Sequence, residues 1–190
     1  MKCGRAVIGA VLDHGVDTIF GIPGGQTYEL FDAIHQEAHR VRLFTARHEQ
    51  GAAYMALGYA LASGRVGVYS VVPGPGILNS TAALSTAYVR NAPVLCLAGQ
   101  IPLDAIGRGI GYLHDTPDQS GVLQRLTKWT QLIREPREVP AAVARAFREL
   151  QTGRPRPVAL EIPPDVLGME AEIAPAPAPP AWARLAPDPD

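Results

Sequence analysis

Cysteine is scarce: the 190 residues contain two, Cys3 near the start and Cys96 in an apolar run, so neither a disulfide framework nor a cysteine-based metal site is expected. His14, His35, His39 and His48 show no metal-ligand spacing and read as structural or solvent-facing. An excess of one charge is also missing. Lys and Arg number 17 against 18 Asp and Glu, a net charge of −1, and the basic residues are scattered, which excludes the electrostatic footprint of a nucleic-acid binder. No apolar stretch approaches the roughly 20 residues that cross a bilayer, so no membrane partner is expected. The start Met1-Lys2-Cys3-Gly4-Arg5 lacks the hydrophobic run of a signal peptide, which makes the cytoplasm the expected location. No Gly-x-Gly-x-x-Gly run follows the first apolar strand, which counts against a dinucleotide-binding or flavodoxin-like domain.

What is present is enough apolar residue, 47%, to fill one full core. Ala6, Val7, Ala10 and Val11 suit an opening helix, and Thr18 to Phe20 a strand. Helix Thr27 to Gln36, strand Val41 to Thr45, helix Gly51 to Ala62, strand Val66 to Val72, helix Ile77 to Val89 and strand Pro93 to Ala98 then alternate. Such alternation predicts an α/β fold, a three-layer α/β/α arrangement around a mostly parallel sheet. From Ile101 to Gln119 no periodicity is legible, and Gly107, Gly109, Gly111 and Pro117 predict a long loop. Leu126 to Ile133 reads as a strand, Val139 to Gln151 as an amphipathic helix, and Pro157 to Pro163 as a closing strand. Residues 1–167 are thus expected to form one domain. From 168 to 190 the Ala-Pro repeats read as an extended linker.

Ligand sites in such folds gather where strands end. Three strand ends carry informative residues. Arg47-His48-Glu49-Gln50-Gly51-Ala52-Ala53 puts a carboxylate at a strand-to-helix junction ahead of a nearly all-apolar helix. A capping glutamate is the bland account of Glu49; a buried helix mouth instead gives it a partner or a raised pKa. Pro73-Gly74-Pro75-Gly76 is a stiff loop that lets a ligand approach the backbone, with Asn79 and Ser80 at the following helix start, although Gly/Pro turns are common. Pro23-Gly24-Gly25 follows the first strand, and Gly99-Gln100 follows the fourth.

Taken together, Phe20-Gly21-Ile22-Pro23-Gly24-Gly25, Arg47 to Ala52, Gly74-Pro75-Gly76-Ile77-Leu78-Asn79, Ala92-Pro93-Val94 and Gly99-Gln100-Ile101-Pro102 resemble thiamine-diphosphate enzymes. The likeness is to their N-terminal, pyrimidine-binding domain in the acetolactate synthase-like branch, and it runs from about Gly4 to Val166. The resemblance implies that Glu49 bonds N1′ of the cofactor's aminopyrimidine and promotes loss of the C2 proton. It implies that Pro75, Gly76 and Asn79 line the pyrimidine ring and that Gly24 and Gly25 leave space near the reacting carbon. Gln100 is a substrate-side candidate, as is His114, an imidazole in a loop. Gly25 speaks against the pyruvate decarboxylase and benzoylformate decarboxylase patterns, where Asp or Ser matches it. Leu113-His114-Asp115 departs from the Phe-Gln-Glu run of acetolactate synthases, which counts against that activity itself.

The family's Gly-Asp-Gly magnesium motif is absent from these 190 residues. Thiamine diphosphate and Mg2+ would therefore be held jointly with a further domain, and no metal ligand is expected here. The chain resembles one domain of a longer enzyme acting on a 2-oxo acid or related carbonyl compound, by decarboxylation or carboligation. The alternatives are a natural subunit of a split decarboxylase and a non-catalytic interaction module. The family also implies a homo-oligomer, a dimer first and a tetramer in the complete protein.

Overall fold

A computed structural model describes residues 1–174, and the expected linker falls outside the described residues from 175 onward. Six strands form one parallel sheet: β1 Thr18–Gly21, β2 Arg42–Thr45, β3 Gly67–Val71, β4 Val94–Gly99, β5 Trp129–Leu132 and β6 Val158–Ile162, in the order β2-β1-β3-β4-β6-β5. The central strands β1, β3, β4 and β6 are buried throughout, as apolar strands covered on both faces must be.

Helices cover both faces. α1 Cys3–Asp13, α2 Tyr28–Gln36 and α6 Val139–Gln151 lie on one side, where Val7, Ile8, Leu30, Ile34, Val143 and Phe147 meet Ile19, Val68, Leu95 and Leu160. α3 Glu49–Ser63, α4 Pro75–Val89 and α5 Gln119–Leu126 lie on the other. There the buried side chains are small: Ala52, Ala53 and Ala56 of α3 and Ala83 and Ala87 of α4 let the helices sit close to Tyr69, Val71 and Cys96. This is the expected α/β/α architecture, with every strand parallel.

The elements depart from the expected bounds in two informative places. α3 and α4 each start two residues early, α4 because Pro75 occupies its first position, where a missing N–H is harmless. α5 has no counterpart in the sequence reading, and β5 starts at Trp129, with Leu126 ending α5. Asp118 starts α5 from a left-handed conformation, φ 47°, and its side chain accepts from the N–H of Gly121 at 2.9 Å.

A short helix α7, Pro164–Gly168, follows β6. Lys2 then pairs antiparallel with Glu170, and the Cys3 N–H donates to the carbonyl of Met169 at 2.8 Å. Among the described residues no helix is long and apolar enough to cross a membrane.

The strand order places the site. From β1 the chain goes outward to β2 and then returns to β3 on the other side of β1. The loops leaving β1 and β3 therefore diverge, and the crevice between them is where open parallel sheets bind ligands.

Candidate functional site

Glu49 is the first residue of α3 and is half-buried. The capping role falls to its neighbour: the His48 side chain accepts from the N–H of Gln50 at 3.2 Å. Glu49 instead reaches across to α4, where Asn79 Nδ2 donates to its Oε2 at 2.9 Å. Its Oε1 has no hydrogen-bond partner among the described residues. A carboxylate so held has one oxygen fixed and the other open to a donor.

α4 supplies Asn79 because the loop before it is rigidly seated. Gly74 has φ 56° and ψ −112°, and a Cβ on it would lie 2.2 Å from the carbonyl oxygen of His114, so only glycine fits. Its N–H donates to Gln119 Oε1 at 2.7 Å. Pro75 is exposed, and Gly76 is buried beside Glu49, with a Cβ on it 3.6 Å from Glu49 Cγ and 2.7 Å from Val72. Glu49, Pro75, Gly76 and Asn79 are thus brought to one place, next to the β1–β3 crevice.

The β1 loop closes the other side. Thr27, fully buried, ties the turn by donating from Oγ1 to the carbonyl of Gly24 at 2.9 Å. A Cβ on Gly24 would lie 2.6 Å from Val72, and one on Gly25 3.4 Å from the His114 ring. The 101–118 loop therefore arches back over the mouth, with His114 against both glycine loops. His114 Nδ1 lies 2.6 Å from Gln26 Oε1, and Gln26 Nε2 donates to the Leu113 carbonyl at 3.0 Å.

Gln100 is not brought to the mouth. It is buried, its Nε2 donates to Glu161 Oε2 at 3.0 Å, and its Oε1 accepts from the Ile101 N–H at 2.8 Å. Gln119 Nε2 donates to the same Glu161 oxygen at 3.0 Å and to the Gly99 carbonyl at 2.9 Å. Glu161 is completely enclosed and its Oε1 has no partner. Burial raises its pKa, against the pull of Ser120, Gln119 and Gln100. Gln26, Gln119 and Glu161 went unmarked in the sequence; the one available signal was a lone carboxylate inside the apolar run Val158–Ile162. Among the described residues no cluster of three or more His, Cys, Asp or Glu could hold a metal ion.

The arrangement holds one carboxylate oxygen of Glu49 and leaves the other available to a hydrogen-bond donor beside the crevice. Cβ atoms at Gly24 and Gly76 would collide with Val72, so the absence of side chains there lets the two loops pack closely against it. Comparison with known proteins identifies the family. Residues 1–122 match the family model described as thiamine pyrophosphate enzyme, N-terminal TPP binding domain. The chain is 39% identical over 167 residues to a probable 2-ketoarginine decarboxylase of Pseudomonas aeruginosa, covering 88% of this chain and 30% of that protein. It is also 39% identical over 172 residues to an acetolactate synthase of Arthrospira platensis, covering 90% of this chain and 29% of that protein. A third relative, the acetolactate synthase large subunit of Lactococcus lactis, is 39% identical over 166 residues, 87% of this chain and 28% of its own length. The chain thus spans under a third of the length of these relatives.

Proposed function

Because the chain belongs to the thiamine pyrophosphate enzyme family, as an N-terminal TPP-binding domain, we propose that it is the cofactor-activating domain of an enzyme that decarboxylates or ligates a 2-oxo acid or related carbonyl compound. The observation that carries this reading is Glu49: one oxygen held by Asn79, the other open, beside Gly76 at the crevice.

When bound, thiamine diphosphate supplies a nucleophilic carbon and a sink for the electrons released from the substrate. The residues of this chain bind and orient. Glu49 Oε1 holds the proton shared with the pyrimidine ring nitrogen, and Asn79 keeps the carboxylate from rotating away. Gly24, Gly25 and Gly76 leave room for rings to approach the backbone, and Pro75 packs at the edge. Mg2+ and the diphosphate would be held by residues outside this chain. His114 stands on the substrate side, while Gln100 acts from within by fixing Glu161. One named relative is a probable 2-ketoarginine decarboxylase and another an acetolactate synthase, and in this reading the loop carrying His114 discriminates between substrates.

The test is Glu49→Gln in the complete protein that carries this domain. Loss of the shared proton at nearly constant volume is expected to lower turnover by about 10²–10⁴-fold and to slow hydrogen exchange at the cofactor's C2. Exchange at the unmutated rate would reduce Glu49 to a helix-end residue.

We further propose a homodimer. Met55 and Leu61 of α3 and Leu78 and Val89 of α4 are 38–71% exposed, an apolar face that association would cover. Light scattering over a dilution series checks it, and a monomeric mass up to the solubility limit would refute it.

A further inference from the structure

Gln26, next to Gly25 in the loop after β1, bonds a segment 87 and 88 residues further along the chain. Its two contacts determine each other. The Leu113 carbonyl can only accept a hydrogen bond, so the atom of Gln26 that meets it, at 3.0 Å, must be the amide nitrogen. The amide oxygen is then the atom 2.6 Å from His114 Nδ1, and a carbonyl oxygen cannot donate. Nδ1 must carry the proton. In the neutral ring this leaves Nε2 with its lone pair, the reverse of the form that a free histidine side chain prefers in water.

The backbone supports the same pairing. Gln26 and His114 both have left-handed φ, 64° and 68°, which few non-glycine residues adopt unless their surroundings hold them there. Each residue's conformation is fixed by the other's hydrogen bonds. The pairing also presses the imidazole against Gly25 and the His114 carbonyl against Gly74, so the long loop is fastened to both walls of the crevice.

Resting on the reading that this crevice works on a carbonyl substrate, we propose that Gln26 is a positioning residue: it fixes His114 as the Nδ1–H tautomer and makes Nε2 the atom that accepts a proton on the substrate side. The proton taken up at Nε2 leaves an imidazolium whose Nδ1–H stays on Gln26 Oε1, and the same Nε2 returns it later in the cycle.

The experiment uses the 190-residue chain labelled with 15N and long-range ring correlations of its five histidines, with His114→Asn to assign the signal. In the unmutated chain the neutral His114 ring is expected to show a protonated Nδ1 and a bare Nε2. Gln26→Met, close in length but without the amide, should return the ring to the Nε2–H form, and Gln26→Glu, which restores an acceptor, should recover Nδ1–H. An Nε2–H ring in the unmutated chain, or an unchanged ring in Gln26→Met, would overturn the proposal. If Gln26→Met fails to fold, the unmutated and Gln26→Glu chains still decide it. In the complete protein, Gln26→Met should lower kcat about tenfold or more, with Gln26→Glu recovering most of the loss. Full kcat in Gln26→Met would also overturn it. Inactivity of the unmutated complete protein with thiamine diphosphate would instead sink the functional reading, while the tautomer result stands by itself.

Discussion

Glu49 and Glu161 lie at the same edge of one sheet, and their surroundings are opposite. Glu49, beyond β2, is half-buried at a helix N-terminus with one amide partner and one open oxygen. Glu161, near the end of β6, is sealed from solvent with two amide donors on one oxygen and none on the other. Burial raises the pKa of Glu161, yet no ligand can reach it. A perturbed carboxyl is a common mark of an active site, and here it marks a structural joint. Through Gln119 the buried glutamate ties β4, α5 and β6 to the N–H of Gly74, and so sets the start of the helix that carries Asn79. One half of the edge is open for chemistry because the other half is closed to hold it.

The largest contrast is in turnover against stability. Glu49→Gln is expected to cost orders of magnitude in rate, as argued above, while changing unfolding free energy by less than about 0.5 kcal/mol, since a half-exposed residue with one polar contact contributes little to the fold. A strongly destabilised Glu49→Gln chain would erase the distinction between the two glutamates.

Glu161→Ala should do the reverse to stability. It strands the buried Gln100 amide nitrogen, removes one of the two acceptors of the Gln119 amide nitrogen and opens a void, for a loss of about 2–4 kcal/mol, measured by denaturant unfolding. A loss below about 1 kcal/mol would mean that water or neighbouring side chains replace the carboxyl.

How far each glutamate was legible follows from the same contrast. Glu49 stands out in the sequence because it sits at a strand-to-helix junction ahead of a run of small residues, and the alternation of apolar runs is enough to place that junction at a sheet edge. Glu161 does not, because Val158 to Ile162 reads as one buried strand and its partners, Gln100 and Gln119, are 61 and 42 residues away. Gln119 was hidden a second time. α5 is short, its residues Gln119, Ser120, Gln124 and Arg125 break any apolar periodicity, and Asp118 starts it from a left-handed conformation that propensity does not favour. The Gln26–His114 pairing was invisible for the same reason: it exists only once two loops meet.

pH sharpens the comparison further. The native pKa of Glu161 is raised by burial above its unfolded value, so the native state holds this proton more tightly than the unfolded chain does. Its contribution to stability is complete below the ordinary glutamate range and is lost as pH rises through the raised native value. Unfolding free energy followed from pH 4 to pH 8 should therefore contain a declining component that Glu161→Gln removes. The same slope in both chains would show that Glu161 ionises as freely as an exposed carboxyl.

The smallest effect on the fold is expected at Asn79, and it separates holding a residue from holding the protein together. Asn79 is exposed, and its 2.9 Å bond to Glu49 competes with water on both sides, so Asn79→Ala should change unfolding free energy by less than about 0.5 kcal/mol. What the bond does is remove a rotation. Without it the Glu49 carboxylate is free to turn toward solvent, and the fraction of time that an oxygen faces the crevice falls. Turnover of the complete protein is therefore expected to drop about tenfold, well short of the loss in Glu49→Gln, because the carboxylate itself remains. Asn79→Asp should be worse than Asn79→Ala despite its closer shape, since a second carboxylate would face the first at hydrogen-bond distance. If Asn79→Ala turns over at the full rate, the helix N-terminus alone orients Glu49, and the bond across to α4 is incidental.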